Sequence, residues 1–358
     1  MKGLKFMAQR VTMQNVADAV HMSRASVSAV LGNKPHCFVS EKKRSQILET
    51  AVRMGYTPNL LARGLRNGRT NMIGLLCSSM QSEINKRELV CLVNLLLEHG
   101  YSSNIVYYKG EMEKLRASSS ELLARGCDAL IVSRAQHSTE NEEHTIVNSF
   151  TDKSVFLFAG NPDRTTDHDI VYDFRAGFLE AAAYLKKLGH RQIKMMMLNP
   201  DIQDPGMTGF QEALKQLDLD TDSPVCEVSS ADDITPDHMK KFFQSNPDCT
   251  ALCCRNDLTA MRVIQCCARL GVRVPEDLSV IGFDDIDTSA YSVPALTTIR
   301  QPVEAAAEET VKLLLNMLEG QSNPIRRSLP PRLVIRESTA KSSGSIKNRS
   351  NLFERSGR

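Results

Sequence analysis

No apolar run in this 358-residue chain has the length of a membrane span. The longest, VCLVNLLL at 90–97, contains Asn94 and falls well short of the roughly 20 residues a spanning helix needs. The first residues, MKGLKFMAQR, hold neither an apolar segment of signal-peptide length nor a small-residue cleavage site. The protein is therefore expected to stay in the cytoplasm, away from membranes. No CxxC pair occurs among the ten cysteines, which in a reducing compartment are expected as thiols. The doublets Cys253–Cys254 and Cys266–Cys267 lie in apolar segments. Adjacent residues of a strand point to opposite faces, so a doublet chelates poorly; these cysteines are expected as small buried apolar groups, with no metal. A P-loop, a G-x-G-x-x-G after a strand and a nucleophile elbow are also missing. Asp284, Asp285 and Asp287 form an acidic group without the His or Glu partners of an acid/base site. No catalytic residues, no cofactor and no enzymatic activity are expected.

Acidic residues are scarce in one place. Residues 1–70 hold 12 Lys/Arg and 3 Asp/Glu, a net +9, whereas the rest of the chain carries 32 and 39, a net −7. A basic end on an acidic body points to a polyanion bound at that end. Thr12 can cap a first helix with Val16, Ala17 and Val20 inside, and Ser23 a second with Val27, Val30 and Leu31 inside. Only His21 and Met22 lie between them, so the two helices must cross steeply, as in a helix-turn-helix. Ser40 can cap a third helix, running through Ile47, Leu48, Ala51 and Val52 to a C-terminal Gly55. The outer face of the second helix is small and polar: Arg24, Ala25, Ser28 and Ala29. Such a face suits a DNA major groove. A small three-helix domain that binds protein is the plainer alternative, and the +9 charge argues against it.

The stretches VADAVHMSRASVSAVLG and VSEKKRSQILETAVRMGYTPNLLARGLRNGRTNMIGLL resemble the LacI/GalR family of bacterial transcriptional repressors. The shared features are a Val-Ala pair in helix one, Ser-Val-Ser in the recognition helix, Gly55-Tyr56-x-Pro58-Asn59, the Ala62–Leu65 hinge segment, and Ile73-Gly74 opening the first core strand. The resemblance implies that Arg24 and Ala25 read base edges, and that Thr12, Ser23, Ser26, Ser28 and Ala29 lie on the DNA. It also implies that Asn59, Ala62, Arg63, Leu65 and Arg66 belong to a hinge helix folding on the operator, with Leu65 wedged into the minor groove. Three departures stand out. His21 replaces a turn glycine, although His tolerates positive φ better than most residues. Ala29 replaces an Arg and cannot donate to guanine. Gly64 weakens the hinge helix by about 1 kcal/mol.

Beyond residue 71 short apolar strands alternate with amphipathic helices. Strands are expected at 72–77, 104–108, 128–132, 155–158, 192–197, 250–254 and 278–283, with helices near 84–99, 113–125, 175–188, 207–217, 257–270 and 303–319. Such alternation argues for parallel, doubly wound sheets. The expected fold is an all-α helix-turn-helix N-terminal domain joined by a hinge helix to an α/β core of two Rossmann-like parallel-sheet subdomains. The expected division is 11–58 for DNA binding, 59–70 for hinge helix and linker, and 71–340 for the ligand-binding and dimerisation core. Its subdomains would be about 71–171 with 294–325 and 172–293 with 326–340, the chain crossing near 171, 293 and 325. Residues 341–358, KSSGSIKNRSNLFERSGR, are expected as a disordered basic tail; they lack a heptad, so a homodimer rather than a tetramer is expected.

The resemblance continues through LGHRQI, RNDLTAMRVI, VPEDLSVIGFDDI, PALTTIRQP and the final strand RLVIRES. It implies an effector cleft between the subdomains, with Ser78, Gln81, Asp173, Asn256, Asp257 and Asp284 facing it. Taken singly, Asn256-Asp257 could be a helix cap and Asp284-Asp285 a loop cap. Together they fall at strand C-termini, where open α/β sheets bind ligands. Gly206 stands where the family often carries an Arg that clamps the ligand, in a Pro205-Gly206 segment expected as a loop. A carboxylate-rich cleft without that clamp favours a neutral or cationic, hydroxyl-rich, sugar-like effector. The implied protein is a regulator of palindromic operator DNA. The alternative is a sugar-binding protein of the periplasmic type without a regulatory role.

Overall fold

The computed structural model describes residues 11–32, 39–57, 68–109, 111–133, 154–160, 168–198, 205–222, 224–321 and 325–342. Asn59, Ala62, Arg63, Leu65 and Arg66 lie outside these residues, as does the expected tail beyond Ser342. The chain divides into two compact units, Met1–Thr70 and Asn71–Arg358.

The first unit holds three helices, α1 (Met13–Ala19), α2 (Arg24–Leu31) and α3 (Glu41–Arg53). Thr12 and Asn15 form a capping box on α1, and the Ser23 hydroxyl accepts from the Ser26 N–H at the start of α2. Capping of this kind satisfies backbone donors that the first turn leaves unpaired. Ser40 occupies the N-cap of α3 but makes no side-chain capping bond, contrary to expectation. The turn between α1 and α2 depends on His21, whose φ is 53°, the left-handed conformation that the missing glycine would have supplied. Gly55, at φ 67°, ends α3, and the Tyr56 N–H reaches back to the Ala51 carbonyl at 2.9 Å. Val16, Ala17, Val20, Val27, Val30, Ile47 and Ala51 form the small core. Leu48 and Val52 are 44% and 82% exposed. The buried face of α3 is Ile47, Thr50 and Ala51, an i, i+3, i+4 stripe; Leu48 and Val52 sit one residue further round it.

The second unit contains two six-stranded sheets. Its first lobe comprises β1 (Met72–Cys77), α4 (Glu83–Glu98), β2 (Ser102–Tyr107), α5 (Met112–Ala124), β3 (Ala129–Ser133), β4 (Ser154–Gly160) and β5 (His168–Asp173). The second comprises α6 (Phe174–Lys187), β6 (Ile193–Leu198), α7 (Pro205–Gln216), β7 (Val225–Val228), α8 (Pro236–Ser245), β8 (Ala251–Cys254), α9 (Asp257–Arg269), β9 (Ser279–Asp284) and β10 (Thr297–Arg300). The chain then returns through α10 (Val303–Leu318) and β11 (Ile325–Leu329) and ends with β12 (Arg332–Val334). The sheet orders are β11-β5-β4-β3-β1-β2, parallel throughout, and β12-β10-β9-β8-β6-β7, parallel except for β12. Parallel pairing puts all strand C-termini of a sheet on one edge, which is where ligand residues gather.

The subdomain boundaries differ from those expected. Thr297–Arg300 pairs with β9 and so belongs to the second sheet; the crossing falls at 301–302 rather than near 293. Ile325–Leu329 pairs with β5, so the last crossing falls at 330–331. Segments 168–173, 225–228, 297–300, 325–329 and 236–245 form regular structure where none was assigned from the sequence. The Phe174, Phe178, Phe210 and Phe283 rings pack together in the second lobe, with Phe174 edge-on to Phe283 at 4.6 Å. The Cys253–Cys254 and Cys266–Cys267 doublets are buried thiols, and no metal-holding cluster occurs among the described residues.

Candidate functional site

Two sets of residues stand out, one in each unit. In the first, α2 turns Val27 and Val30 into the core and leaves Arg24 and Ala25 exposed, with Ser28 and Ala29 half-buried. The Ser23 and Ser26 hydroxyls lie 2.9 Å apart and engage each other. Thr12, exposed beside them in sequence at the start of α1, donates its hydroxyl to Asn15 Oδ1 at 2.7 Å. Lys42 and Lys43 are exposed at the start of α3. A helix presenting one long cation among small side chains can lie close to a polyanion without steric conflict.

The second set lies along the strand C-termini of the core. On the first sheet Ser78, just past β1, is buried, and Gln81 is exposed, its N–H donating to Ser79 Oγ at 3.2 Å. Asp173 ends β5 and caps α6, accepting from the Ala176 N–H at 3.0 Å. On the second sheet Asn256 caps α9, accepting from the Thr259 N–H at 2.8 Å. Asp284 ends β9 with φ 118° and accepts from Gln301 Nε2 at 2.6 Å; Asp285 follows with φ 53°. Two successive non-glycine residues in the positive-φ region represent strain of about 1–3 kcal/mol each, held by the surroundings. Arg336 grips Asp285 Oδ1 at 2.6 Å, and Arg300 approaches its Oδ2 at 3.4 Å.

Asp257 departs from the expected arrangement. It is fully buried, and its carboxylate accepts from the Ile286 N–H at 2.9 Å, from Ser289 Oγ at 2.6 Å, and from Thr298 Oγ1. It braces the 285–289 loop against β10 instead of facing the cleft. Gly282 makes room for it: a Cβ there would come within 2.1 Å of Asp257 Oδ1. Burial, the largest influence, pushes the Asp257 carboxyl up to about 6 despite these donors. Gly206 also departs from expectation, for Pro205-Gly206 opens helix α7 rather than a loop, and Gly206 is buried.

Three groups at the same edges escaped the sequence reading. Arg255, directly after β8, is 7% exposed, with its guanidinium carbon 4.9 Å from the Phe174 ring centroid and 5.9 Å from that of Phe283. Gln301 is buried beside Asp284, with its Oε1 lacking a protein partner. Glu88, on α4, is buried under the first sheet's edge and accepts from Tyr172 Oη at 2.9 Å. Burial raises its carboxyl to about 7, against the lowering effect of Ser133 and Tyr172.

Comparison with known proteins agrees with this layout. The model of the periplasmic binding protein-like domain matches residues 182–339. The HTH-type transcriptional repressor PurR of Haemophilus influenzae is 27% identical over 334 residues, spanning 91% of this chain and 98% of its own. PurR of Aliivibrio salmonicida is 28% identical over 336 residues, 92% of this chain and 99% of its own. A match of that length must extend over both units. The chain is thus similar, along nearly its whole length, to repressors of the helix-turn-helix type. The lac repressor dimer bound to operator and the anti-inducer ONPF shares its fold, with a TM-score of 0.82 at 23% identity over 93% of this chain and 100% of that one. These matches take in both sets of residues, the exposed helix of the basic unit and the polar edge of the core.

Proposed function

We propose that this chain is a transcriptional repressor that binds palindromic operator DNA as a homodimer and answers to a small polar, carbohydrate-like effector in the cleft of its core. The observation that carries the reading is the outer face of α2, where Arg24 projects among small residues on a unit of net +9. The relatives named as repressors match over both units, so the helix-turn-helix and the cleft are read together. Arg24 is the base reader, since a bidentate Arg–guanine pair gives about 1–3 kcal/mol of discrimination. Thr12, Ser23, Ser26 and Ser28 serve the phosphates, and Ala25 and Ala29 offer apolar contact. Asn59, Ala62, Arg63, Leu65 and Arg66 form the hinge, with Leu65 as its wedge.

Exposed apolar side chains on the core support a dimer. Tyr291 and Val293 are 81% and 91% exposed, and Val90 and Leu258 line one groove with Ile84 and Ile286. Neighbouring apolar groups exposed to that degree, such as Tyr291 and Val293, suit an interface. Among the described residues no helix is long and apolar enough to cross a membrane.

The test is a gel shift with fragments from upstream of the protein's own operon, followed by selection from randomised half-sites. Arg24→Ala should relax the preference at one or two base pairs. Uniformly weaker binding with an unchanged motif would reassign Arg24 to the phosphates, and no specific fragment at all would overturn the regulator reading.

A further inference from the structure

The outer face of α2 is defined by how its other side chains are tied down. Val27 and Val30 are buried in the small core. The Ser23 and Ser26 hydroxyls engage each other at 2.9 Å, and Ser23 Oγ also accepts from the Ser26 N–H at 3.1 Å, so both are occupied at the start of the helix. Arg24 and Ala25 remain exposed, with Ser28 and Ala29 half-buried one turn later. Residues four apart share a helix face, so these side chains stand in two columns, Arg24 with Ser28 and Ala25 with Ala29. The first column carries a guanidinium. The second carries two methyl groups, about 6 Å apart along the axis at 1.5 Å of rise per residue, and no polar side-chain atom.

We infer that the Ala25–Ala29 column reads thymine by the C5-methyl group, a reading that rests on α2 lying in the major groove as proposed above. The net +9 of the unit brings this face to the duplex without regard to sequence, and the column then selects among the bases. Thymine alone of the four bases presents a methyl group in the major groove, and an apolar side chain is the neighbour that suits it. A column without donors or acceptors cannot replace the water it strips from a base edge. Laid over cytosine N4, adenine N6 or guanine O6, it leaves a polar group unpaired. Laid over a thymine methyl, it removes apolar surface from water on both sides of the contact. The two alanines thus reject three bases and favour the fourth, so their specificity comes from a penalty as much as from an attraction. The spacing agrees with the duplex: about 6 Å between the two Cβ positions, against a rise of about 3.4 Å per base pair, places the methyl groups over thymines one or two steps apart. Ala29 completes the column. A long polar side chain there would bring a donor into it, whereas alanine keeps it apolar over a full turn.

Selection from randomised half-sites with the full-length protein supplies the operator. That operator is then synthesised with deoxyuridine at each selected thymine in turn, in both half-sites. Deoxyuridine pairs as thymine does and lacks only the C5 methyl. Fluorescence anisotropy should show binding about fourfold weaker for each contacted methyl removed, the loss that goes with taking one methyl-sized group out of apolar contact. Ala25→Ser and Ala29→Ser put a hydroxyl on the column and should bring the ratio of thymine to deoxyuridine affinities towards one. A variant that is partly unfolded binds both duplexes less well by the same factor, so the ratio separates a lost contact from a lost fold. Equal affinity of the parent for the two duplexes overturns the methyl reading and leaves the regulator standing, as does an operator in which selection fixes no thymine. A ratio unchanged in both serine variants assigns the methyl contact to other residues and overturns the role of the column. A selection that yields no operator at all counts against the regulator reading itself, and against the thymine reading with it.

Discussion

Glu88→Gln should reverse its effect on stability between acid and alkaline pH. Glu88 is buried on α4, accepts from Tyr172 Oη at 2.9 Å, and has its carboxyl raised by burial from 4.5 to about 7. A raised carboxyl binds its proton in the folded state over a range where the unfolded chain has lost it. Its contribution to stability is therefore fully present below about 4.5 and is lost as the pH climbs through about 7. At about 1.4 kcal/mol per pH unit, the gap between those two values corresponds to about 3 kcal/mol. The neighbouring groups do not confuse the reading: burial pushes the Cys77 thiol up to about 12, and Tyr172 is raised well above its ordinary value, so both stay neutral throughout. Glutamine keeps the carbonyl that accepts from Tyr172 but brings an NH₂ needing a partner, a penalty of about 1 kcal/mol at every pH. The variant should thus be less stable than the parent at pH 5 and more stable at pH 8, the difference swinging by about 2–3 kcal/mol. Urea unfolding of both proteins at pH 5, 6, 7 and 8 measures it. Asp257 and His190 also titrate abnormally, but they are common to both proteins and cancel in the comparison. Parallel stability profiles would refute the buried-carboxylate argument.

Asp257→Ala should destabilise the core by about 3–5 kcal/mol, because it strands the donors of Ile286, Ser289 and Thr298; urea unfolding reads it, and a loss below about 1 kcal/mol would show that the brace is dispensable. Val293→Asp, at a site 91% exposed, should leave the fold intact and shift the protein from dimer to monomer in light scattering; an unchanged dimer would place the interface elsewhere.

The parts of the fold legible in the sequence are those whose burial is complete and periodic. MIGLLC and SVIGFD form central strands buried along nearly their whole length, so an apolar run of strand length sufficed to find them. HDIVYD, TTIR and IRRSL interrupt the apolar run with charged or hydroxyl groups, so no local pattern marked them. PDHMKKFFQS did carry a local signal, Thr235 as N-cap with Pro236 in the first turn, that went unused. In the first unit the capping residues and the inner stripes of α1 and α2 agreed, and His21 took the positive φ that its position demands.

The candidate site was legible only as a neighbourhood. Arg255, Asn256 and Asp257 occupy the strand-to-helix junction after β8, and the motif located that junction correctly. It could not say which of three consecutive side chains points where, because a junction changes the backbone period from two to 3.6 within a single residue. The structure sends Arg255 over the aromatic rings, uses Asn256 as the cap and buries Asp257. Gly282 was the available hint: a glycine inside a strand marks a close approach, and here the group approaching is the Asp257 carboxylate.

The residues of the cleft are also residues of the crossings between lobes. Asp173 caps the helix that begins after the first crossing, and Gln301 stands on the second and holds Asp284 at 2.6 Å. Around them the two lobes share a chain of ion pairs. Arg87 of α4 bonds Glu304 at 2.8 Å, Arg300 bonds both Glu304 and Asp285 at 3.3 and 3.4 Å, and Arg336 bonds Asp285 at 2.6 Å. Glu304 and the arginines keep partial exposure, so the outer pairs are each worth about 1 kcal/mol or less, and water can replace them. Behind them one buried apolar cluster runs from the first lobe, with Ile73, Leu75 and Tyr172, into the second, with Phe174, Phe178 and Phe283. Continuous apolar packing at the crossings therefore joins the lobes, and the partly exposed ion pairs at its edge add only a minor term to it.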